Sequence, residues 1–471
     1  MPFNSILFFI FLGVVTAIHF FLKQNQRKYF LIFVSFTFIC FKNVESLLLL
    51  ITAISLTYFL ARKISTTLDL FYRKLLLRIG IFFNLSFLFY FKYFETTEGG
   101  NFKPETIIFL LGISFYTLQN ISYLLEIYSK RIKEIPSFLD YTLYSSFFPK
   151  FIMGPITLPQ DFIPQISRSK ILYTQIISGF NRILLGVVKK VVIADRLAAY
   201  VHYNFDLSDS TTGLTTLITT YLFTLQLYFD FSGYSDIALG SAKMLGFDLK
   251  ENFNLPLRAK SISEFWRKWH ISLTSWITNY VFYPVSFHYR KYKKFGVAIA
   301  LIITFILSGI WHGIGFTFLI YALSHAVYMC IEIFTKSTRE KIATFFHPKI
   351  YRFISVFITF NLVSLSFVFF RATTLEKAWQ MITSIFNYTH FIPRNWSLDL
   401  FSKLAITGDQ ESFFNLFISL ILGGGFLFFE KQIVRTSISE KLKFTSLLIF
   451  VLLLLLFGVF TSQEQFIYNQ F

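Results

Sequence analysis

The chain has 471 residues, with 44 Lys and Arg against 26 Asp and Glu, a formal charge of +18; 54% of its residues are hydrophobic, 20% aromatic and only 15% charged. Soluble domains carry about 25% charged residues, so a water-soluble globule is excluded, and disorder is excluded because it requires low hydrophobicity and few aromatics. What remains is a polytopic membrane protein.

A bilayer core about 30 Å thick is spanned by roughly 20 helical residues. Apolar runs predict spans near 3–22, 29–42, 45–61, 76–92, 106–128, 138–157, 172–193, 212–229, 295–311, 314–334, 352–370, 412–429 and 445–461. The run 138–157 contains Pro149, Gly154 and Pro155 and is expected to be broken or re-entrant. Residues 3–22 lack the basic start of a signal peptide, so they read as a retained helix.

Orientation follows from the loops. Lys23, Arg27 and Lys28 after the first span, then Arg62, Lys63, Arg73, Lys74 and Arg78, fall on the inner side by the positive-inside rule. Glu95, Glu98 and Glu105 give the loop between spans four and five a net acidic character and place it outside; Lys130, Arg131 and Lys133 return inside. Lys431, Arg435, Lys441 and Lys443 put the entry to the last span inside. Both termini are therefore expected outside, after about ten to twelve crossings. Residues 247–294 are amphipathic, aromatic and basic, too polar to span, and read as helices and loops on the cytoplasmic side. No internal repeat or linker divides the chain, so the expectation is one all-α, multi-pass transmembrane bundle over residues 1–471. Basic residues concentrated in short loops account for the charge without a nucleic-acid partner. Cys40 and Cys330 lie in apolar runs and suggest neither a disulfide nor a metal site.

There is no P-loop, no GxSxG elbow and no HExxH. The functional suspects are ionisable residues in apolar surroundings, where they are costly. His312 stands in Ser308-Gly309-Ile310-Trp311-His312-Gly313 between two apolar spans. It suits a general base that deprotonates an acceptor hydroxyl, with Gly309 and Gly313 allowing close approach; the alternative is a buried histidine bonded to a neighbouring helix. His270 ends Phe265-Trp266-Arg267-Lys268-Trp269-His270. That cluster is either an interfacial aromatic girdle or a binding site for an anionic, nucleotide-bearing acyl donor. Trp266, Arg267, Lys268, Trp311 and Asp230 are the donor- or substrate-binding candidates. Asp230 and Asp236 interrupt a span and could instead pair with Lys189, Lys190 or Arg196. His19, His202, His288, His325, His347 and His390 read as structural or surface residues.

At these residues the sequence resembles the membrane-bound O-acyltransferase family. The stretches that carry the likeness are FFPKFIMGPI (147–156), QLYFDFSGYSDIALGSAKMLGF (226–247), NFNLPLRAKSISEFWRKWHISLTSWI (252–277), SGIWHG (308–313) and FFRATTLEKAW (369–379). Within the family the chain is most similar to the bacterial branch of alginate-type O-acetylation and teichoic-acid D-alanylation proteins. The resemblance implies a helical ring around a thinned centre, with catalysis by His312 and with His270 as the second histidine on the cytoplasmic side. It implies acetyl transfer from a cytoplasmic donor, acetyl-CoA, with no permanently bound cofactor. The expected partners are membrane lipid, an exported SGNH-type acetyltransferase or other extracytoplasmic acceptor, and a polysaccharide; the expected location is the bacterial cytoplasmic (inner) membrane. After SLTSWI the family usually has Arg-Asp-Tyr, where Thr278-Asn279-Tyr280 stand here, and a Gly-rich turn is replaced by Val285-Ser286-Phe287-His288.

The same resemblance extends to Phe466-Ile467-Tyr468-Asn469-Gln470-Phe471. The pattern Phe-x-Tyr-x-x-Phe is similar to the motif of a small partner peptide of D-alanyl transferases, whose tyrosine is proposed to carry the acyl group. Tyr468 is by analogy an acyl-shuttle candidate, against the alternative of an aromatic anchor. Polysaccharide O-acetylation is the leading expectation. D-alanyl transfer to teichoic acid and peptidoglycan O-acetylation are alternatives within the same fold. A transporter is the non-enzyme alternative, disfavoured because no repeated halves are visible.

Overall fold

A computed structural model describes residues 3, 5–41, 43–91, 104–168, 172–207, 212–313, 315–387, 417–428 and 440–458. The acidic loop around Glu95 and Glu98, His390 and the segment with Tyr468 lie outside the described residues. Among those described there is no strand, and the helices form two compact units. One is drawn from Met1–Val187 and Gly233–Glu251, the other from Val188–Ser232 and the described residues of Asn252–Glu464.

The first unit begins with α1 (Ile6–Phe21), α2 (Gln24–Cys40), α3 (Val44–Thr66), α4 (Leu70–Phe89) and α5 (Pro104–Tyr128). Polar side chains at the N-termini of α1, α3 and α4 cap otherwise orphaned amides: Ser5 accepts from Phe8, Asn43 from Glu45, and Asp69 from Phe71 and Tyr72. In place of one crossing helix at 138–157 the chain forms α6 (Phe138–Ser146), the single turn α7 (Phe148–Phe151) and an irregular return into α8 (Pro159–Arg168). The expected break is present. Lys150 pins the return: its Nζ donates to Gln119 Oε1 and Thr157 Oγ1, both at 2.5 Å, and lies 4.1 Å from the Tyr144 ring centre. A buried network joins four helices as polar glue. Asn84 of α4 donates to Thr57 of α3 and accepts from Asn120 of α5, which in turn accepts from Tyr141 and Ser145 of α6.

Helix α9 (Tyr173–Val187) runs into a wider π-helical segment, Val188–Ala194, and then α10 (Asp195–His202). The next helix departs from the sequence expectation. The span expected at 212–229 is a 32-residue helix, α11 (Gly213–Met244). Beyond Asp230 it stays helical although polar, because small residues there pack on protein. A Cβ on Gly240 would lie 2.5 Å from the Gly179 carbonyl oxygen of α9, and one on Gly179 would lie 2.6 Å from that of Gly240. Asp236 is paired there with Arg182 at 2.5 Å, and Arg182 also reaches Glu251 at 2.7 Å.

The second unit carries the functional suspects. Residues 252–292 form short helices: α12 (Ile262–Trp266), α13 (Ile271–Ile277) and α14 (Tyr283–His288), with turns between them, none long enough to cross a bilayer. The long α15 (Lys293–His312), α16 (Phe316–Phe334) and α18 (Pro348–Arg371) follow, with α17 (Lys336–Phe345) between the latter two, then α19 (Leu375–Phe386), α20 (Phe417–Phe428) and α21 (Glu440–Phe457). Among the described residues four helices are long and apolar enough to cross a membrane: Val44–Thr66, Arg290–His312, Phe316–Phe334 and Pro348–Arg371. Ile6–Phe21, Phe417–Phe428 and Leu448–Phe457 are apolar but shorter. Arg196 donates to the Phe457 carbonyl and Arg258 to that of Leu427, each satisfying the C-terminal end of an apolar helix.

Candidate functional site

His312 is the last residue of α15 and is 6% exposed. Its imidazole sits among rings: Trp311 at 4.9 Å, Phe370 of α18 at 5.4 Å and Tyr321 of α16 at 6.1 Å between centroids, all edge-on. The flanking glycines serve helix packing. A Cβ on Gly309 would meet Ala322 Cβ at 2.9 Å, and one on Gly313 would meet the Phe318 ring at 2.5 Å. The histidine is thus held at the end of a tightly apposed helix pair, which suits a base that must keep a fixed aim.

His270 is 1% exposed and adopts left-handed backbone angles, φ 44° and ψ 52°, as the N-cap of α13. Such angles are uncommon outside glycine and cost about 1–2 kcal/mol. Short backbone pairing holds the distortion: Ile271 N donates to Asn252 O and Asn254 N to Lys268 O, both at 2.9 Å. The Asn252 side chain then fixes the histidine's proton. Its Oδ1 accepts from Ser272 N at 3.2 Å and from Ser272 Oγ at 2.9 Å, so this atom must be the oxygen. His270 Nδ1, 3.2 Å from the same oxygen, therefore carries hydrogen, and Nε2 is the basic nitrogen. Burial pushes the imidazole down to about 3, so it is neutral at physiological pH.

A continuous run of aromatic rings connects the two histidines. From His312 it passes Phe370, Phe367, Trp269, Phe253 and Phe231 to His270, with centroid separations of 5.4, 6.3, 5.4, 5.1, 5.0 and 4.8 Å. The remaining suspects are distributed around this run. Arg267 is exposed and makes no ion pair among the described residues, whereas Lys268 is held by Glu264 at 2.6 Å. Trp311 is half-buried beside His312. Asp230 is engaged elsewhere: Lys190 Nζ lies 2.7 Å from it and 2.6 Å from Asp195, all three side chains being 1–2% exposed. The pairing with Lys190 considered from sequence is present. No three His, Cys, Asp or Glu side chains gather as metal ligands would among the described residues.

Sequence reasoning passed over two residues of α16. His325, read from sequence as structural or surface, is fully buried among Phe265, Trp266, Phe305 and Tyr321, and its Nδ1 accepts from the Trp266 indole at 3.3 Å. Glu332, one heptad later, accepts from Ile262 N at 2.5 Å, Ser263 N at 3.1 Å and Ser263 Oγ at 2.7 Å, capping α12. The signal was available: two ionisable residues seven apart lie on one face of an otherwise apolar helix.

The model of the membrane-bound O-acyltransferase family matches residues 128–372, a stretch that holds His270, His312 and the aromatic run between them. The chain is 34% identical over 421 residues to a peptidoglycan O-acetyltransferase of Helicobacter pylori, covering 81% of this chain and 79% of that one. It is 32% identical over 423 residues to a probable alginate O-acetylase of Pseudomonas aeruginosa, covering 87% and 78%. A teichoic acid D-alanyltransferase of Bacillus subtilis is 30% identical over 275 residues, covering 57% and 70%.

Proposed function

The chain belongs to the membrane-bound O-acyltransferase family and is an integral-membrane acyltransferase; from that premise we propose that it moves acetyl groups from a cytoplasmic donor, acetyl-CoA, to an acceptor outside for O-acetylation of an exported polysaccharide. Acetyl is favoured as cargo because the relatives matched over 81% and 87% of the chain are named for O-acetylation, whereas the D-alanyl relative is matched over 57%.

The observation that carries the reading is the buried, ring-enclosed His312 at the end of an apolar helix. In the proposed step its neutral imidazole takes the proton of an acceptor hydroxyl as that oxygen attacks the thioester carbonyl. The carbon–sulfur bond breaks, the ester forms, and the departing thiolate is protonated by the imidazolium. His270 supports this from the donor side. Arg267 and Lys268 attract the anionic donor, and Trp266 and Trp311 offer ring faces to it. The acceptor outside is an exported SGNH-type acetyltransferase or a comparable protein.

His312→Ala is the test. Losing a general base lowers the rate by about 10²–10⁴-fold, so labelled acetate should no longer enter envelope glycans while the variant still accumulates in the membrane. Normal labelling would overturn the assignment. Peptidoglycan is the second acceptor, on the strength of the 34% identical relative. Label released by a muramidase points to it; label recovered in secreted polysaccharide points to the first reading. For placement in the bacterial cytoplasmic membrane, a cysteine at position 98 should react with an impermeant reagent from outside, and one at position 26 should not.

A further inference from the structure

Helix α12 is only five residues long, from Ile262 to Trp266, and so brief a helix cannot hold itself together in isolation. Two side chains of α16 hold it from outside. Glu332 accepts from the amides of Ile262 and Ser263 at its start, and His325 accepts from the Trp266 indole at its end, at 3.3 Å. An indole nitrogen can only donate. Nδ1 of His325 must therefore be bare, and the ring is the neutral tautomer with its hydrogen on Nε2. His325 and His270 are thus locked in opposite tautomers, one accepting through Nδ1 and the other donating through it.

The rings around His325 keep it in that role. Phe265 and Phe305 lie nearly parallel to it, at 8° and 14°, and Trp266 and Tyr321 meet it edge-on at 79°. Tyr321 also faces His312 at 6.1 Å, so α16 touches the His312 pocket with one residue and the aromatic-basic segment with another a turn later. Immediately after Trp266 come Arg267 and Lys268, the cations assigned to the donor.

We infer that His325 is a positioning residue for the acyl donor: by accepting from Trp266 it fixes the end of α12 and hence the direction in which Arg267 and Lys268 are presented. The inference rests on the donor-binding reading of Trp266, Arg267 and Lys268. It does not require His325 to touch the substrate.

Two substitutions of opposite logic separate this from simple core packing. His325→Asn keeps an acceptor where Nδ1 stands but loses most of the ring; His325→Phe keeps the ring but has no acceptor. The full-length protein in lipid nanodiscs is measured in two ways, by hydrogen exchange of the amides of residues 262–270 and by the KM and kcat for acetyl-CoA. The expected result is that His325→Phe loses protection over 262–270 and raises the donor KM about five- to tenfold, the worth of one hydrogen bond, with kcat within about twofold of wild type. His325→Asn should stay close to wild type in both. The reverse order, with Phe tolerated and Asn damaging, would overturn the inference, as would unchanged exchange in His325→Phe. The exchange arm is independent of the donor. If Arg267→Ala leaves the acetyl-CoA KM unchanged while His325→Phe loosens 262–270, the donor reading fails and the positioning of α12 stands.

Discussion

Gly309 of α15 faces Ala322 of α16 so closely that a Cβ on the glycine would come within 2.9 Å of the alanine Cβ and 3.0 Å of the Phe318 carbonyl oxygen. Tight apposition of this kind is how helices bind one another where lipid removes the hydrophobic drive. Because His312 follows three residues later, the spacing of this pair also sets where its imidazole stands.

Gly309→Val should therefore force the helices apart, at about 1–3 kcal/mol for an overpacked contact, and displace His312 from the ring of Phe370. The expected outcome is a lower melting temperature in detergent together with a larger fall in acetyl transfer than the lost stability explains. Gly13→Val is the control: nothing lies within 4 Å of a Cβ at that position of α1. Equal behaviour of the two variants would contradict the packing argument.

The Asp195–Lys190–Asp230 cluster makes unequal demands on its members. Removing the cation leaves two buried carboxylates together, and breaking a buried pair costs about 3–5 kcal/mol. Lys190→Met should accordingly destabilise the protein more than Asp230→Asn, which leaves Lys190 with Asp195. Thermal unfolding of the two variants in the same detergent gives the comparison; the opposite ranking would show that the cation is not the bridging member.

His270 yields a pH prediction. Its folded-state value of about 3 lies below the ordinary 6.5, so as the pH falls below 6.5 the unfolded chain binds a proton that the folded site refuses. Stability declines from about pH 6.5 towards pH 3, by at most about 1.4 kcal/mol per pH unit for one proton. His270→Asn, whose side chain tolerates the left-handed backbone, should flatten the dependence of melting temperature on pH over this window. An unchanged slope would mean that the acid sensitivity resides elsewhere.

Tyr468 lies outside the described residues, and its role as acyl carrier is tested by chemistry alone. A phenol with pKa near about 10 leaves an ester more readily than a sugar alcohol does. Tyr468→Phe keeps the aromatic bulk and removes the only oxygen that could carry the group. If the tyrosine is the shuttle, acetylation stops as it does in His312→Ala; near-normal acetylation leaves Tyr468 as an interfacial anchor.

What the sequence disclosed and what it concealed divide along one physical line. Apolar runs such as those of α3, α15, α16 and α18 announce themselves because lipid-facing helices must be continuously hydrophobic, and His312 stands out against that background. Hydropathy fails where a helix is covered by protein. The second half of α11 escapes it because Asp236 is neutralised by Arg182, a partner more than a helix away in the chain, and such pairings leave no local trace. His270 was legible from its aromatic-basic block, but Asn252, which fixes its proton, was not: a short polar residue in an extended segment carries no mark of the ring it will meet. His325 reads from sequence as structural or surface, and its bond to Trp266, like the contacts of Glu332 with α12, emerges only when α12 and α16 are packed together.

The buried cluster has a consequence for how the chain enters the membrane. Lys190 is made before Asp230, and a charged side chain at the centre of a lone apolar helix opposes insertion by about 2.5–3.5 kcal/mol. The stretch from α9 to α10 carries Asp195 with it, but Lys190 gains its second carboxylate only when the ribosome has delivered α11. These segments should wait beside the insertion machinery and leave it as a pair. Photo-crosslinking of arrested nascent chains would show this as contact with the translocon that persists while chains end before Asp230 and disappears once that residue has emerged; in Asp230→Asn chains, where one of the two carboxylates at Lys190 is gone, the contact should outlast the emergence of that position.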